Sequence, residues 1–508
     1  MRRLILTWGV CMNSKRALFL LGISAIFVLS SCSGLKTAVC TTNCTVSGNA
    51  SLTISLYDTP PTGTSVLNFT LPIAGISLTP SSSSGSPQPV TTVTSSVEVT
   101  RLQSDSAIIV DQASVPAADY TAINVTLGPT STTNNLFINT SGSTIAYGTH
   151  SCVNGAICAL PVGAIYTISV PLTLNLSANQ NQWIGLDFNL NKAITSSSGI
   201  TVDFSQTGVL AATTTTRTGI PSGSVDTLED FTGVVTAYTA GSSITVKSAI
   251  RGVSLTALLS TNTEYDLAPS SYSLCQGAAS ACVTVGSTVS VDAVVSSGGT
   301  FTATEVDLLD ATAVDEVEGI IYPTTTAGEF GMVLADDEVS ASGNATLSAG
   351  TYGSGVLLTI NATNYSVDTK TLSSQLSQPV VGFSSGSDLL GGQVVRAQIS
   401  GISKDNNGNI TATANNMLLR YSRLSGTLNS VAGSAFTVAS LPGYIYALNT
   451  SLSSTPQVYT YLGLTAFDGI SGLSDPTLQA GTTTVSIRAL YLNSPATYPF
   501  QAAKVRVP

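Results

Sequence analysis

Short stretches of alternating apolar and polar residues run along the chain from residue 51 onward. Leu52-Thr53-Ile54-Ser55-Leu56 and Ile123-Asn124-Val125-Thr126-Leu127 are two of them, and a period of two places the apolar side chains on one face of a β-strand. Segments rich in Pro, Gly and Ser, such as 59–63 and 81–89, separate the stretches and are typical of turns. Because no long amphipathic helix is visible, the pattern predicts an all-β fold that begins with a β-sandwich over residues 50–216.

An internal repeat occupies the rest of the chain. Each of three copies has a glycine in its opening strand and a second glycine at the start of a later strand: Gly233 with Gly286, Gly319 with Gly392, and Gly426 with Gly481. Glycine within a strand is typical of a sharp bend where a small barrel closes. The repeat therefore predicts three tandem barrel-like modules, at residues 226–312, 313–421 and 422–508.

The first 31 residues have the pattern of a secretory signal peptide. Basic residues are followed by an apolar run from Ala17 to Leu29 and then by small residues. That run is shorter than the ~20 residues that span a bilayer, so a permanent transmembrane helix is the less favoured alternative. Met12 is an alternative start, because Met12-Asn13-Ser14-Lys15-Arg16 already forms a charged beginning.

Leu29-Ser30-Ser31-Cys32 resembles the lipobox of bacterial lipoproteins. The resemblance implies that residues 1–31 are removed and that Cys32 becomes a lipidated N-terminus, whose acyl chains attach the protein to a membrane. Residues 32–49 are small and polar and are predicted to be a tether. Ser33, at the second mature position, implies an outer-membrane location by resemblance to lipoprotein sorting. The alternative is an ordinary secretory signal with an incidental cysteine.

Six further cysteines form three close pairs in the sequence: Cys40 with Cys44, Cys152 with Cys158, and Cys275 with Cys282. Export to an oxidising compartment makes a local disulfide the favoured interpretation of each pair. A zinc site is the alternative, but the spacings differ and only His150 is available as a nitrogen ligand.

Charged residues make up only 9% of the chain, and His150 is the single histidine. One histidine excludes most histidine-dependent catalysis and all multi-histidine metal sites. The 28 acidic residues outnumber the 18 basic ones, and no basic run lies outside the signal segment, so nucleic acid is not an expected partner. We therefore expect a protein that is not an enzyme and that uses no cofactor and no metal.

Three candidate catalytic groups are better explained as structure. Gly382-Phe383-Ser384-Ser385-Gly386 fits the nucleophile elbow G-x-S-x-G, but no histidine follows it, so a loop is favoured. His150 is interpreted as a solvated loop residue. Asp187 and Asp203 supply the two carboxylates that a glycosidase needs. Each alternates with apolar neighbours, however, which favours a structural position on the outer face of a strand.

Three acidic segments raise the alternative of calcium binding. Asp405-Asn406-Asn407-Gly408-Asn409 is followed by Ile410 and Asn416 where an EF-hand loop requires glycine and glutamate. Its Asn407-Gly408 pair instead predicts a hairpin turn. Asp315-Glu316-Val317-Glu318 and Asp336-Asp337-Glu338 are interpreted as solvated turns and linkers.

Four motifs follow one another at specific spacing: Ser55-Leu56-Tyr57-Asp58-Thr59-Pro60, Ala107-Ile108-Ile109-Val110-Asp111, Val115-Pro116-Ala117-Ala118-Asp119-Tyr120-Thr121-Ala122-Ile123 and Leu186-Asp187-Phe188-Asn189. They resemble the bacterial domain-of-unknown-function family 4382 (DUF4382). This resemblance implies an envelope or secreted β domain and no particular activity. The repeated glycine strands after residue 226 are similar to domain-of-unknown-function family 5666 (DUF5666), which implies small β units in tandem.

Tyrosines are concentrated in the third module. Tyr444 and Tyr446 are two residues apart, as are Tyr459 and Tyr461, and on a strand each pair forms a small aromatic stripe. An exposed stripe can stack on sugar rings. The favoured interpretation is that the tyrosines fill the barrel or pack between modules.

The sequence predicts a lipid-anchored bacterial cell-envelope protein with a non-catalytic structural or adhesive role. Its expected partners are the membrane, through the lipid anchor, and a glycan or another envelope protein. The alternative is a carbohydrate-binding surface lipoprotein in which Tyr444, Tyr446, Tyr459 and Tyr461 contact the sugar.

Overall fold

The described residues of the chain, in a computed structural model, run from 48 to 507. The gaps are at 59–64, 83–84, 92–94, 131–134, 148, 196–199, 217–227, 249–252, 268–282, 297–298, 310–314, 340, 348–354, 369–371, 373, 377–379 and 494–497. The predicted lipidation site Cys32 and the cysteines Cys40, Cys44, Cys275 and Cys282 lie outside the described residues. The described part is nearly all β, which confirms the predicted fold class.

The first part of the fold consists of short and long strands with two single-turn helices. The strands are β1 (Asn49–Asp58), β2 (Val66–Asn68), β3 (Thr70–Pro80), β4 (Gln88–Thr91), β5 (Ser95–Glu98), β6 (Ala107–Pro116), β7 (Asp119–Leu127), β8 (Leu136–Ile138), β9 (Ile145–Tyr147), β10 (His150–Cys152), β11 (Ile157–Ala159), β12 (Tyr166–Asn175), β13 (Asn181–Phe188), β14 (Ile194–Thr195), β15 (Thr201–Val202) and β16 (Leu210–Thr216). The helices are a 3₁₀ helix, η1 (Val99–Gln103), and α1 (Leu190–Ala193).

Two sheets form this sandwich, with strand orders β16-β13-β1-β6 and β12-β7-β3-β4. The alternating pattern of β1 and β7 directs Leu52, Ile54 and Ile123 into the shared core. The other face of β1 is also covered, because Ser55 Oγ accepts a hydrogen bond of 2.9 Å from Trp183 Nε1. The Trp183 ring packs on Phe301 of the following module, with ring centroids 6.2 Å apart.

Three barrels follow the sandwich. Their strands are β17 (Leu228–Thr239), β18 (Ser243–Lys247), β19 (Ser254–Leu258), β20 (Glu264–Leu267), β21 (Thr288–Ser296) and β22 (Thr300–Leu309) in barrel 1; β23 (Asp315–Pro323), β24 (Glu329–Glu338), β25 (Val356–Val367), β26 (Val394–Lys404) and β27 (Ile410–Leu419) in barrel 2; and β28 (Ser422–Ala432), β29 (Ala435–Ala439), β30 (Gln457–Thr460), β31 (Ala466–Asp468), β32 (Thr484–Tyr491) and β33 (Phe500–Arg506) in barrel 3. The helices are α2 (Ala341–Leu347), α3 (Gly443–Leu448) and a 3₁₀ turn, η2 (Gly386–Asp388).

The strand order is the same in all three barrels. The first strand pairs with the second and the fourth, the fourth pairs with the fifth, and the third closes the ring by pairing in parallel with the fifth. In barrels 1 and 3 a short extra strand, β20 or β31, also pairs with the fifth strand. This five-stranded, closed Greek-key arrangement is that of an OB-fold.

The two repeated glycines have the same function in each barrel. At the first one, a Cβ atom would lie 2.4 Å from Lys247 O in barrel 1, 1.9 Å from Val333 O in barrel 2 and 2.6 Å from Ala439 O in barrel 3. Only glycine therefore allows the first two strands to approach this closely. The second glycine has a φ between 82° and 98°, and its N–H donates a bond of 2.7–2.8 Å to the residue two positions after the first glycine. The predicted repeat is confirmed as three equivalent barrels.

The sandwich and the barrels share their cores. Ile108 and Trp183 of the sandwich belong to the apolar core of barrel 1. Leu67 and Ile138, from a small sheet of the sandwich ordered β11-β8-β2, belong to the core of barrel 3. The modules are therefore packed against one another and not only joined in sequence. None of the helices in the described part of the chain has the length and hydrophobicity of a transmembrane helix.

Candidate functional site

A group of charged side chains lies where the sandwich meets all three barrels, and we call it the central ionic cluster. Its members are Arg101 and Asp105 from the sandwich, Asp307 from barrel 1, Glu318, Asp368, Arg396 and Arg420 from barrel 2, and Arg423, Arg488 and Lys504 from barrel 3. Most of these side chains are almost completely shielded from solvent. Charges are rarely buried unless they are paired, so their mutual contacts determine how the four modules fit together.

Glu318, on the first strand of barrel 2, is bound from two modules. It pairs with Arg101 of the sandwich and accepts a bond of 3.0 Å from Arg396 Nε of its own barrel. Arg396 also donates to Asp307 of barrel 1, with 3.2 Å between Nη1 and Oδ2, and Arg420 contacts Asp307 and Glu318 at 3.5 Å and 3.4 Å. This half of the cluster therefore joins the sandwich to barrels 1 and 2.

Asp105, which follows η1 in the sandwich, connects to barrel 3. Its Oδ2 accepts a bond of 3.1 Å from Arg423 Nε, and Lys504 Nζ lies 3.8 Å from its Oδ1. Burial alone would raise the pKa of Asp105, but the cations of Lys504, Arg423 and Arg488 outweigh burial and lower that pKa. Arg488 also lies over the ring of Tyr421, 4.8 Å from its centroid. The carboxylate is thus held ionised between buried cations.

The interpretation of Asp315-Glu316-Val317-Glu318 as a solvated turn or linker is wrong. These residues begin β23, and Glu316 and Glu318 are buried at 6% and 3% exposure. Gln398 Nε2 of the same barrel donates to Glu316 at 2.9 Å. Glu318 pairs with Arg396 of the same barrel and with Arg101 of the sandwich. A strand whose polar face meets another domain has the same alternating sequence as one that faces water, and for this reason the pattern did not reveal the cluster.

A cavity of about 510 Å³ opens on barrel 3, and we call it the barrel 3 cavity. Thr437 of β29 and Gln457 of β30 lie opposite each other in the sheet and form one wall. Ser451, Ser453 and Thr455 of the connection between these strands form a second wall. None of the described residues that line the cavity is charged, so hydroxyl and amide groups determine its polar character.

The third wall of the barrel 3 cavity is fixed by barrel 2. Tyr491 and Asn493 line this wall. The Tyr491 carbonyl accepts a hydrogen bond of 2.8 Å from Gln393 Nε2. The backbone N–H of Asn493 donates a hydrogen bond of 3.0 Å to Gly382 O. Asn449 Nδ2 donates to the Tyr491 hydroxyl. Burial raises the pKa of Tyr491 to about 12, so this wall stays neutral at physiological pH.

The four tyrosines predicted to contact sugar occupy different surroundings. Tyr444 and Tyr446 lie on helix α3 and not on a strand, and Tyr444 is in the apolar core. The sequence pattern does not predict this helix, because its six residues are too few to show the helical repeat of apolar positions. Tyr459 and Tyr461 do pack together, with ring centroids 4.9 Å apart, and Tyr498 joins them at 5.1 Å from Tyr459.

The nucleophile-elbow motif forms a capped turn. Phe383 is in the core of barrel 2, and Ser384 donates from both its backbone and its hydroxyl to Asp388 Oδ2, at 2.7 Å and 3.0 Å. Ser385 is the N-cap of the 3₁₀ helix η2. The Asp388 carboxylate therefore accepts from the groups that precede this short helix, and the motif is a capped turn, as the loop interpretation expects.

His150 and the predicted carboxylate pair lie on the surface of the sandwich. The exposed His150 stacks on Tyr147 with ring centroids 5.5 Å apart. Asp187 lies on β13 opposite Tyr57. Asp203 accepts hydrogen bonds from the hydroxyl and backbone of Ser205 and from Gln206, and these bonds lower its pKa. A glycosidase acid requires a raised pKa, so Asp203 does not have the properties of that group.

Two local predictions about loops are confirmed. Cys152 and Cys158 form the predicted disulfide, with Cα atoms 6.1 Å apart. Asn407-Gly408 lies in the hairpin between β26 and β27, where Asp405 Oδ1 accepts from the backbone of Asn407 and Asn409 at 2.8 Å. The side chains of Asp336, Asp337 and Glu338 lie outside the described set.

Two sequence motifs of the sandwich meet at the buried residue Asp58. Strand β1 runs parallel to β13, so that Tyr57 lies opposite Asp187 and Asp58 opposite Phe188. Asp58 Oδ1 accepts a bond of 3.2 Å from Leu190 N at the start of α1. Burial raises the pKa of Asp58 well above its usual range. Burial therefore favours the protonated form of this carboxyl group.

We expect Asp58→Asn to remove part of the pH dependence of stability. Because the pKa of Asp58 is raised in the folded chain, wild-type stability falls as pH rises above the unfolded value of about 4, by at most about 1.4 kcal/mol per pH unit until the folded pKa is reached. Asparagine keeps an oxygen for the Leu190 amide and does not titrate. Guanidinium unfolding at a series of pH values measures the slope, and exposed Asp119→Asn is the control. Equal slopes in Asp58→Asn and wild type contradict the prediction.

Comparisons with known proteins bear on the sandwich. Residues 49–203 match the family described as "Domain of unknown function (DUF4382)". No curated protein was found to match the chain. Among solved structures, the chain is similar to a Drosophila protein described as "drosophila Unr CSD456", with 8% identity, a TM-score of 0.13 and coverage of 55% of this chain and 97% of that one. The resemblance expected from the four motifs is confirmed for the sandwich: residues 49–203 are a DUF4382 domain.

Proposed function

We propose that this is a lipid-anchored bacterial cell-envelope protein with a non-catalytic structural or adhesive role. The lipobox-like segment ending at Cys32 supports attachment to a membrane, and Ser33 supports the outer membrane. In the sequence, the DUF4382 domain follows this segment. We also propose that the three equivalent barrels are DUF5666-like units, because each carries the same pair of structurally required glycines.

The central ionic cluster is the observation that carries the proposed structural or adhesive role. Removing one partner of a buried ion pair typically destabilises a protein by about 3–5 kcal/mol, because the remaining charge is left uncompensated. Contacts such as Arg101–Glu318 and Asp105–Arg423 cross module boundaries, so the modules separate only if buried charges are exposed or unpaired. Modules joined in this way hold their outer surfaces at fixed positions relative to one another. That property suits a spacer or an adhesive platform more than a protein that works by domain closure.

The barrel 3 cavity favours a second candidate function, a carbohydrate-binding surface lipoprotein. Its neutral hydroxyl and amide lining offers both donors and acceptors, which is what sugar hydroxyl groups require. Among the tyrosines suggested by the sequence, Tyr444 is buried and fits this function poorly. Tyr459 and Tyr461 are half-buried and remain available at the surface.

We expect Cys32→Ala to release the protein from membranes into the soluble fraction. Without the cysteine no acyl chains can be attached, and it is the acyl chains that hold a lipoprotein on a bilayer. Cell fractionation with detection of the protein measures this, and Cys11→Ala, which changes a cysteine of the signal segment, is the matched control. Full membrane retention of Cys32→Ala contradicts the anchor.

The structural or adhesive role is tested in cells that lack the gene. We expect such cells to lose surface attachment or detergent resistance, and we expect wild type to restore the property while Cys32→Ala does not. Unchanged attachment and resistance in the deletion strain contradict this role.

A further inference from the structure

We infer that the barrel 3 cavity binds a short, uncharged oligosaccharide. This inference deepens the second candidate function above and rests on it. The cavity has a volume of about 510 Å³, which falls within the range of ~300–1,000 Å³ that is typical of small-molecule sites. The site differs from the tyrosine stripes suggested by the sequence, because Thr437, Gln457 and Thr455 form its polar walls.

The chemistry of the walls selects the class of ligand. Phosphate groups and nucleic acids are recognised mainly by Lys and Arg, and none of the described lining residues is either of these. The same absence of cations disfavours uronic or sulfated sugars. Leu452, Pro456 and Pro499 contribute apolar surface between the polar groups. A neutral sugar ring presents the matching combination, with hydroxyl groups at its rim and C–H groups on its faces.

The position of the cavity on the barrel supports a binding role. It lies on the face made by the second and third strands and reaches Leu492, Asn493 and Pro499, which flank the connection from the fourth strand to the fifth. In OB-folds the face made by the second and third strands binds oligosaccharides and oligonucleotides. The uncharged lining decides between these two classes in favour of the oligosaccharide.

A surface for further sugar units adjoins the cavity. Gln457 and Tyr459 are two residues apart on β30 and therefore share its outer face. The Tyr459 ring packs against Tyr461 and Tyr498, and Tyr498 precedes the lining residue Pro499. A glycan chain that fills the cavity would continue across this aromatic group.

The walls are held in place before a ligand arrives. Gln393 of barrel 2 donates a hydrogen bond of 2.8 Å to the Tyr491 carbonyl. Asn493 donates hydrogen bonds to two carbonyl oxygens of barrel 2, to Gly382 O at 3.0 Å and to Ser387 O at 3.1 Å. Side chains that are already ordered lose little entropy on binding. The contact between barrels 2 and 3 therefore orders the third wall of the cavity before a sugar binds.

The test is an array of neutral and acidic oligosaccharides probed with the full-length lipoprotein in detergent micelles. We expect binding to uncharged glycans, weakened about tenfold by Gln457→Leu and by Thr455→Val, because each change leaves a sugar hydroxyl unpaired. Thr256→Val, on the outer face of the corresponding strand of barrel 1, is the matched control and should bind like wild type. Equal thermal unfolding midpoints show that the variants are folded.

The outcomes separate the site from the function. Glycan binding that survives Gln457→Leu and Thr455→Val but is lost in Tyr459→Ala overturns the cavity as the site and keeps carbohydrate binding. Preference for acidic glycans overturns the uncharged class of ligand. An array with no bound glycan overturns both the site and the carbohydrate-binding function.

Discussion

Replacing Asp105 with asparagine is expected to lower the free energy of unfolding by about 3–5 kcal/mol. The Asp105 side chain is buried and faces Arg423 at 3.1 Å and Lys504 at 3.8 Å. Asparagine has nearly the same shape, so the substitution removes the negative charge with little change in packing. Two buried cations would then lack their counter-ion, and the junction between the sandwich and barrel 3 would be weakened.

Guanidinium unfolding of wild type and Asp105→Asn measures this loss. The matched control is Asp119→Asn, which makes the same chemical change at an exposed position of the sandwich and should alter stability by less than about 0.5 kcal/mol. The double variant Asp105→Asn with Lys504→Met should recover part of the loss, because it removes one uncompensated cation. Equal unfolding curves for Asp105→Asn and Asp119→Asn contradict the importance of the cluster.

Acid unfolding gives an independent measurement of the same carboxylate. Neighbouring cations lower the pKa of Asp105 in the folded protein below its unfolded value. The stability that it contributes is therefore present above the unfolded pKa of about 4 and is lost as pH falls through the lower folded pKa. Asp105→Asn should lack this acid-dependent part of the unfolding free energy.

The local pattern of the chain predicted the strands, the repeat and the hairpin because each depends on neighbouring residues. Alternation at Leu52, Ile54 and Leu56 reports which face of β1 meets the core. Gly319 and Gly392 report a close approach and a positive φ, which few other residues tolerate. Features of this kind can be read from one short segment at a time.

The central ionic cluster could not be predicted because its partners are distant in sequence. Arg101 and Glu318 are 217 positions apart, and Asp105 and Arg423 are 318 apart. Glu318 follows Val317 on β23, and this alternation fits a strand that faces water as well as one that faces another module. The barrel 3 cavity was missed for a related reason, since Thr437, Gln457 and Asn493 are common polar residues that only the fold brings together.

The low charge of the chain has a different meaning once the cluster is known. Six of the 18 basic residues lie in the cluster: Arg101, Arg396, Arg420, Arg423, Arg488 and Lys504. A large share of the few cations is therefore used to join modules and not to solvate the surface. The polar groups that line the barrel 3 cavity are, by contrast, uncharged hydroxyl and amide groups.

Gly319→Ala is expected to destabilise the protein by about 3 kcal/mol, since a Cβ atom at this position would lie 1.9 Å from Val333 O. That oxygen belongs to the backbone of β24 and cannot rotate away as a side chain can. Relief therefore requires the first two strands of barrel 2 to separate, next to the buried Glu318.

The matched control for Gly319→Ala is Gly75→Ala in the sandwich, where the added Cβ would lie at an ordinary 3.5 Å from Thr91 O. In a strand this control should change stability by no more than about 1 kcal/mol, and in the stabilising direction if the backbone is unstrained. Gly233→Ala and Gly426→Ala meet backbone oxygens at 2.4 Å and 2.6 Å, so we expect both to be destabilising. Calorimetric unfolding compares the four variants, and a Gly319→Ala protein as stable as Gly75→Ala contradicts the idea that the repeated glycine is required for barrel closure.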